Sequence, residues 1–334
     1  MHHNNFHLLR LAAAGQVAVI HVCDHFGFQN GLITLLGLFP GVPIFFVISG
    51  YLVSESLERT SLRQYAVNRA LRIYPALWVC LVVSAFIALA HGVDFSGSFL
   101  WFVAQATIVQ FYNPDFLRGF GIGVLNGNLW TIPVELQFYI ALPFIYRLLP
   151  TTRALIAATI VFAAFSIVER MFGRGESLAE KLLTVTLAPY LYMFLIGVLL
   201  QKNRRFVSGY LTGRAVSWFA LYVVVAFALW TAGAPVFGND INPLCATFLA
   251  LLVVAVAFAR PLPLRHDLSY GLYLYHLPVL NIFVEHQRTS ALDGLATILI
   301  ALALAGLSWF LIERPALALK HSPMLRWLTA VQPG

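Results

Sequence analysis

Charge is what this chain has least of. Of its 334 residues only 10% are Asp, Glu, Lys or Arg, where soluble domains carry roughly 25%. That shortage excludes a soluble globular protein, because no stretch is polar enough to surface a domain. Cysteine is nearly absent: Cys23, Cys80 and Cys245 stand far apart. A disulfide framework and a cysteine metal site are therefore not expected, and no metal site is read elsewhere. The N-terminus, MetHisHisAsnAsnPheHis, lacks a basic region followed by a small-residue cleavage site, so no cleaved signal peptide is expected. Neither an internal repeat nor a low-complexity linker divides the chain, which reads as one domain over 1–334.

What the chain has is apolar sequence, 60% of the total. Runs suited to crossing a membrane fall near 8–23, 32–57, 76–90, 133–149, 153–168, 183–200, 216–232, 242–258, 268–285 and 294–312. Several are shorter than the roughly 20 residues that span hydrocarbon. The run at 98–112 is decided by charge. If it does not cross and the N-terminus is cytoplasmic, sixteen of the 21 Lys and Arg lie inside. Only Arg118, Arg170, Arg174, Lys181 and Arg288 lie outside. A crossing at 98–112 would move the basic loop at 201–215 outside, against the positive-inside rule. The expectation is an all-α polytopic membrane protein of about ten transmembrane helices with both termini cytoplasmic. Segment 98–128, with its Gly-rich tract at 119–128, becomes a partly re-entrant or interfacial outer segment. The net charge of +7 then reflects cytoplasmic loops, and no nucleic acid is expected as a partner.

Against this background each ionisable residue in an apolar run needs a reason. Arg10 and His21 bracket ten residues that are apolar or small except Gln16. Eleven helical steps come within roughly 20° of three full turns, so both share one face, about 16 Å apart along the axis. Asp24, at i+3 from His21, either orients its imidazole or caps the helix end. Glu135 lies just inside a helix starting near Pro133. It is either favoured there by the helix dipole or functional beside Gln137 and Tyr139.

Other stretches carry weaker signals. GlyValProIlePhePheValIleSerGlyTyr (41–51) ends in Ser49 and Gly50, small enough for close approach of a helix or a ligand. Arg69 and Arg72 share a helix face at i, i+3, with Pro75 marking entry into the next span. They serve as a phosphate clamp or as positive-inside anchors. Tyr270, Tyr273 and Tyr275 suit an interfacial aromatic belt. His276 lies too deep for a belt, and is either a packing residue or part of a polar cavity.

Together these motifs resemble the acyltransferase-3 family of integral membrane acyltransferases. The resemblance rests on Arg10 and His21, PhePheValIleSerGly (45–50), AsnArgAlaLeuArgIleTyrPro (68–75), LeuTrpThrIleProValGluLeuGlnPheTyr (129–139), SerTyrGlyLeuTyrLeuTyrHis (269–276) and GluArgPro (313–315). They occur in family order over nearly the whole chain. The family's cytoplasmic arginine motif begins with arginine, where this chain has Asn68.

The resemblance implies transfer of an acyl group, most often acetyl, from cytoplasmic acyl-CoA to a hydroxyl of a carbohydrate or lipid-linked glycan. Acyl-CoA is then a donor substrate, and no tightly bound cofactor is implied. The expected location is the bacterial inner membrane, with lipid as surroundings. The catalytic residues that the resemblance implies are His21 and Arg10; from the reading of the residues, Glu135 and Asp24 are expected in support. Arg69, Arg72, Arg10 and Ser49 would meet the donor, and Glu135, Trp130, Tyr275 and His276 the acceptor. His21 would act as general base or as the site of an acyl-histidine intermediate. A transporter or flippase of acyl or glycan substrates is the alternative, since intramembrane ionisable groups also mark transport paths.

Overall fold

The computed structural model describes residues 4–172, 177–262, 264 and 266–322. Arg174, Arg265 and Arg326, counted in the charge balance above, lie outside the described residues. Among the described residues every regular element is helical and none is a strand. In chain order the helices are α1 (Phe6–Phe26), α2 (Gly31–Gly37), α3 (Gly41–Arg59), α4 (Leu62–Ala90), α5 (Phe99–Ala106), α6 (Thr131–Leu148), α7 (Thr152–Phe172) and α8 (Leu178–Leu183). There follow α9 (Leu191–Lys202), α10 (Arg204–Phe206), α11 (Ala215–Thr231), α12 (Pro243–Ala257), α13 (Ser269–Glu285), α14 (Ala291–Ser308) and α15 (Arg314–Ala318).

Among the described residues six helical stretches are long and apolar enough to cross a membrane, or seven if Arg204–Leu211 and Ala215–Thr231, bent by 90°, form one span. Each of the ten apolar runs carries a helix, but α9 and α12 have only 12 and 15 residues. At 1.5 Å per residue these reach about 18 and 22 Å, short of the roughly 30 Å of hydrocarbon. The run expected at 183–200 becomes helical only at Leu191, because the Gln137 amide holds its first part in turns. Gln137 donates to the Val185 carbonyl and accepts from the Leu187 N–H, at 3.2 and 2.9 Å.

The chain forms two compact units, each assembled from separated stretches. The first comprises residues up to Val17, Gly31–Glu58 and Val134–Arg265. Its centre is α9, apolar on every side and buried along most of its length, as a helix without a polar face must be. Helix α3 crosses α9 where Gly50 meets the Phe194 carbonyl: a Cβ at Gly50 would stand 2.1 Å from that oxygen. Gly197 makes the reciprocal approach to the Val47 carbonyl. One turn away, Phe194 stacks between Phe46 and Phe138, with ring centres 4.6 and 4.2 Å off. Asn5 closes this unit by donating from its backbone to the Ala257 carbonyl and from its amide to the Val256 and Arg260 carbonyls. Its side-chain oxygen accepts from the Leu262 N–H.

The second unit comprises Ala18–Asn30, Arg59–Pro133 and the stretch from His266 onward. Helix α4 starts at Ser61, whose hydroxyl accepts from the Gln64 N–H, and runs through Pro75 without a break. Pro75 is therefore interior to the helix instead of marking its entry, and Arg69 and Arg72 stand on the same helix as the apolar stretch that follows. Helix α5 has eight residues, about 12 Å, too short to cross. It lies along α4, with Trp78 Nε1 donating to the Ala106 carbonyl and the Tyr74 hydroxyl to that of Thr107. Gln105 and Gln110 fold the chain back after it, each amide donating to two main-chain carbonyls. The Gly-rich tract is then strapped to α13. Glu285 accepts from the Gly121 N–H, and Asn281 accepts from that of Ile122 while donating to the Val124 and Leu125 carbonyls. Gly121 has φ +56° and no room for a Cβ beside Asn281, so this contact requires glycine.

Candidate active site

The second unit brings together two histidines that the sequence leaves far apart. His21, from α1, places Nδ1 at 2.9 Å from Nε2 of His276, from α13. Their rings are inclined by only 20°, with centres 5.1 Å apart. The nitrogen–nitrogen distance accounts for most of that separation, so the rings meet edge to edge.

The direction of this bond follows from its next neighbour. His276 Nδ1 lies 3.0 Å from the Leu272 carbonyl, which can only accept, so His276 Nδ1 carries hydrogen. His276 is fully buried, and both its ring nitrogens are taken by neutral groups, the Leu272 carbonyl and the His21 imidazole. A charged ring is costly in that environment. A neutral His276 offers a lone pair at Nε2, and His21 Nδ1–H donates to it. The second nitrogen of a neutral His21, Nε2, then keeps its own lone pair. This ordering of protons is that of a base held in one tautomer by a buried acceptor.

Asp24 does not play that part. It is exposed and, among the described residues, makes no hydrogen bond to His21, whose Nδ1 pairs with His276 instead. The tyrosines of α13 do not form a belt either. Tyr273 and Tyr275 are 6% and 3% exposed. The Tyr273 hydroxyl donates to the Asn128 carbonyl at 2.7 Å and lies 2.7 Å from the Thr131 hydroxyl. Tyr270 donates to the Ile73 carbonyl.

Beside α13 the AsnGlyAsn stretch has a structural role that sequence reading passed over. Pro278 has no N–H for the Leu274 carbonyl, four residues back. The Asn126 amide takes that carbonyl at 2.9 Å, joined by the Cys80 thiol at 3.3 Å. The Asn128 amide donates to the Tyr273 carbonyl. Trp130 ends the 3₁₀ turn Gly127–Trp130 and is partly buried.

The remaining expected residues fall into two settings. In the first unit, Glu135 Oε1 accepts from the Ser49 hydroxyl at 2.7 Å and from the Tyr139 hydroxyl one turn along α6. Arg10 is partly buried on α1, which runs unbroken through it and His21. In the second unit, Arg69 is partly buried on α4. Arg72 is bound by Asp267 at 2.7 Å and Glu313 at 3.5 Å.

An all-helical fold with several membrane-length spans and a hydrogen-bonded histidine pair marks a multi-pass membrane protein. The chain belongs to the acyltransferase-3 family, whose model, described as "Acyltransferase domain", matches residues 3–314, and it is thus an acyltransferase. It is 35% identical to nodulation protein 10 of Rhizobium leguminosarum bv. viciae, over 98% of this chain and 97% of that one. It is 27% identical to the O-acetyl transferase of Shigella phage Sf6, over 97% and 99%. With the peptidoglycan O-acetyltransferase OatA of Listeria monocytogenes it shares 23% identity over 91% of this chain and 54% of OatA. No solved structure matches.

Proposed function

We propose that the protein is an O-acetyltransferase that moves an acetyl group from cytoplasmic acetyl-CoA to a hydroxyl of a cell-surface carbohydrate or its lipid-linked precursor. The O-acetyl transferases among its relatives support the acetyl group and the hydroxyl acceptor. The hydrogen-bond order Leu272 carbonyl, His276, His21 is the observation that carries the chemistry. In this reading the bacterial inner membrane holds the protein through ten crossings with both termini inside. The charge balance supports that topology.

His21 Nε2 takes the proton of the acceptor hydroxyl as its oxygen attacks the thioester carbon. The C–S bond of the tetrahedral adduct then breaks, and the CoA sulfur leaves with the proton returned by His21. The imidazolium formed in between stays bonded through Nδ1–H to His276 Nε2, so no rearrangement is needed during the step. Phosphates of the donor meet Arg69, whose guanidinium suits them. The test is release of CoA from acetyl-CoA by protein reconstituted in nanodiscs with a glycan acceptor, with acetylated glycan measured by mass. Transfer is expected in the native protein and lost in His21→Ala. Undiminished transfer by that variant would overturn the proposal.

A further inference from the structure

The second arginine of the 68–75 motif is paired with two buried carboxylates. Arg72 Nη2 lies 2.7 Å from Asp267 Oδ2, and Nη1 3.5 Å from Glu313 Oε2. The carboxylate side chains are 3% and 2% exposed and the guanidinium side chain 12%. Their other oxygens are also engaged. Asp267 Oδ1 accepts from the Ser269 N–H and hydroxyl, and Glu313 Oε1 from the Ser308 hydroxyl at 3.1 Å. The guanidinium carbon stands 5.6 Å from the centre of the Tyr270 ring.

These partners come from three places in the second unit. Arg72 is on α4, and Asp267, Ser269 and Tyr270 form the entry to α13. Ser308 ends α14, and Glu313 ends the π-helical turn Trp309–Glu313. A phosphate recruited by Arg72 would have to separate it from carboxylates desolvated with it, which leaves buried charge uncompensated. His276 lies seven residues, two helical turns, beyond Ser269.

We infer that Arg72 is a positioning residue that seats the first turn of α13, and so holds His276 against His21, and that it does not bind the phosphates of the donor. The inference rests on the acyl-transfer reading above. It distinguishes Arg72 from Arg69, three residues earlier in the same motif.

The experiment compares acetyl-CoA with S-acetylpantetheine, which has the same thioester and no phosphate, in reconstituted protein. Arg72→Lys, Asp267→Asn and Glu313→Gln are expected to lower kcat by a similar factor with either donor, about tenfold or more, with KM for acetyl-CoA within about twofold. The Arg72→Lys/Glu313→Gln double variant is expected to be little worse than the poorer single one, because the two changes break one network. A rise in KM confined to acetyl-CoA in Arg72→Lys, with S-acetylpantetheine unaffected, would overturn the inference. Native protein inactive toward both donors overturns the acyl-transfer reading instead. The inference is then decided by thermal unfolding of the same variants, where additive losses from Arg72→Lys and Glu313→Gln sink it.

Discussion

His21 and His276 stand 255 residues apart in the chain and 2.9 Å apart in the fold. The partner that fixes the tautomer of His21 is thus another imidazole, itself fixed by the Leu272 carbonyl. In the more familiar arrangement a carboxylate fills this place. In the proposed mechanism a neutral acceptor would give less stabilisation to an imidazolium at His21 than a carboxylate would, while still orienting the ring.

The pair makes a graded prediction. His21→Ala should lower transfer on the order of 10²- to 10⁴-fold, the usual worth of a general base. His276→Ala should cost less, about tenfold to a hundredfold, since the base remains but its tautomer is no longer imposed. His276→Gln, whose amide oxygen can accept from His21 Nδ1–H, should recover part of that loss. KM for acetyl-CoA should hold within about twofold throughout. Initial rates of CoA release measure all three, and a His276→Gln rate no better than His276→Ala would refute the orienting role.

Helix packing makes a second prediction. A methyl group at Gly50 would stand 2.1 Å from the Phe194 carbonyl oxygen, so Gly50→Ala must push α3 and α9 apart. Overpacking of this kind costs about 1–3 kcal/mol or more. At Gly306, in α14, a Cβ would meet nothing within 4 Å. Gly306→Ala should therefore be neutral or stabilising by about 0.5–1 kcal/mol. Thermal unfolding in detergent should show a clear loss for Gly50→Ala and none for Gly306→Ala.

Glu135 makes a third. Both the Ser49 and Tyr139 hydroxyls donate to its Oε1, so its removal takes an acceptor from both in a partly buried site. Glu135→Ala should lose about 1–3 kcal/mol of stability. Glu135→Gln keeps a carbonyl oxygen in place and should lose less. Equal destabilisation by Gln and Ala would show that the hydroxyl contacts do not hold α3 to α6.

What sequence reading reached, and what it missed, follows from the range of the interactions. Apolar runs report burial in lipid or protein, so the positions of α1, α3, α6, α7, α11 and α14 were visible. The late start of α9 was not, because the Gln137 side chain that holds 185–187 in turns lies about fifty residues earlier. His21 and His276 were each conspicuous as costly groups in apolar surroundings. Their pairing was invisible, and the local candidate Asp24 took the place of the distant one. The ion pairs of Arg72 were invisible for the same reason: its partners Asp267 and Glu313 lie 195 and 241 residues further on. A buried acid in GluArgPro at 313–315 was the available signal that a buried base needed a partner.

The AsnGlyAsn stretch carries the last prediction, because here one side chain replaces a hydrogen bond that the backbone cannot make. Pro278 deprives the Leu274 carbonyl of its helical donor, and Asn126 supplies one from outside the helix at 2.9 Å. Asn126→Ala should therefore leave that buried carbonyl with only the weak Cys80 thiol and cost about 1–3 kcal/mol. Pro278→Ala restores an N–H at the position that Leu274 needs. In that background the same Asn126→Ala change should cost markedly less, a coupling of about 0.5–3 kcal/mol between residues in one network. The double-mutant cycle, read by thermal unfolding, isolates this term from the other effects of removing proline. If the Asn126→Ala cost is the same with proline or alanine at 278, the amide is not serving the carbonyl that the proline exposes.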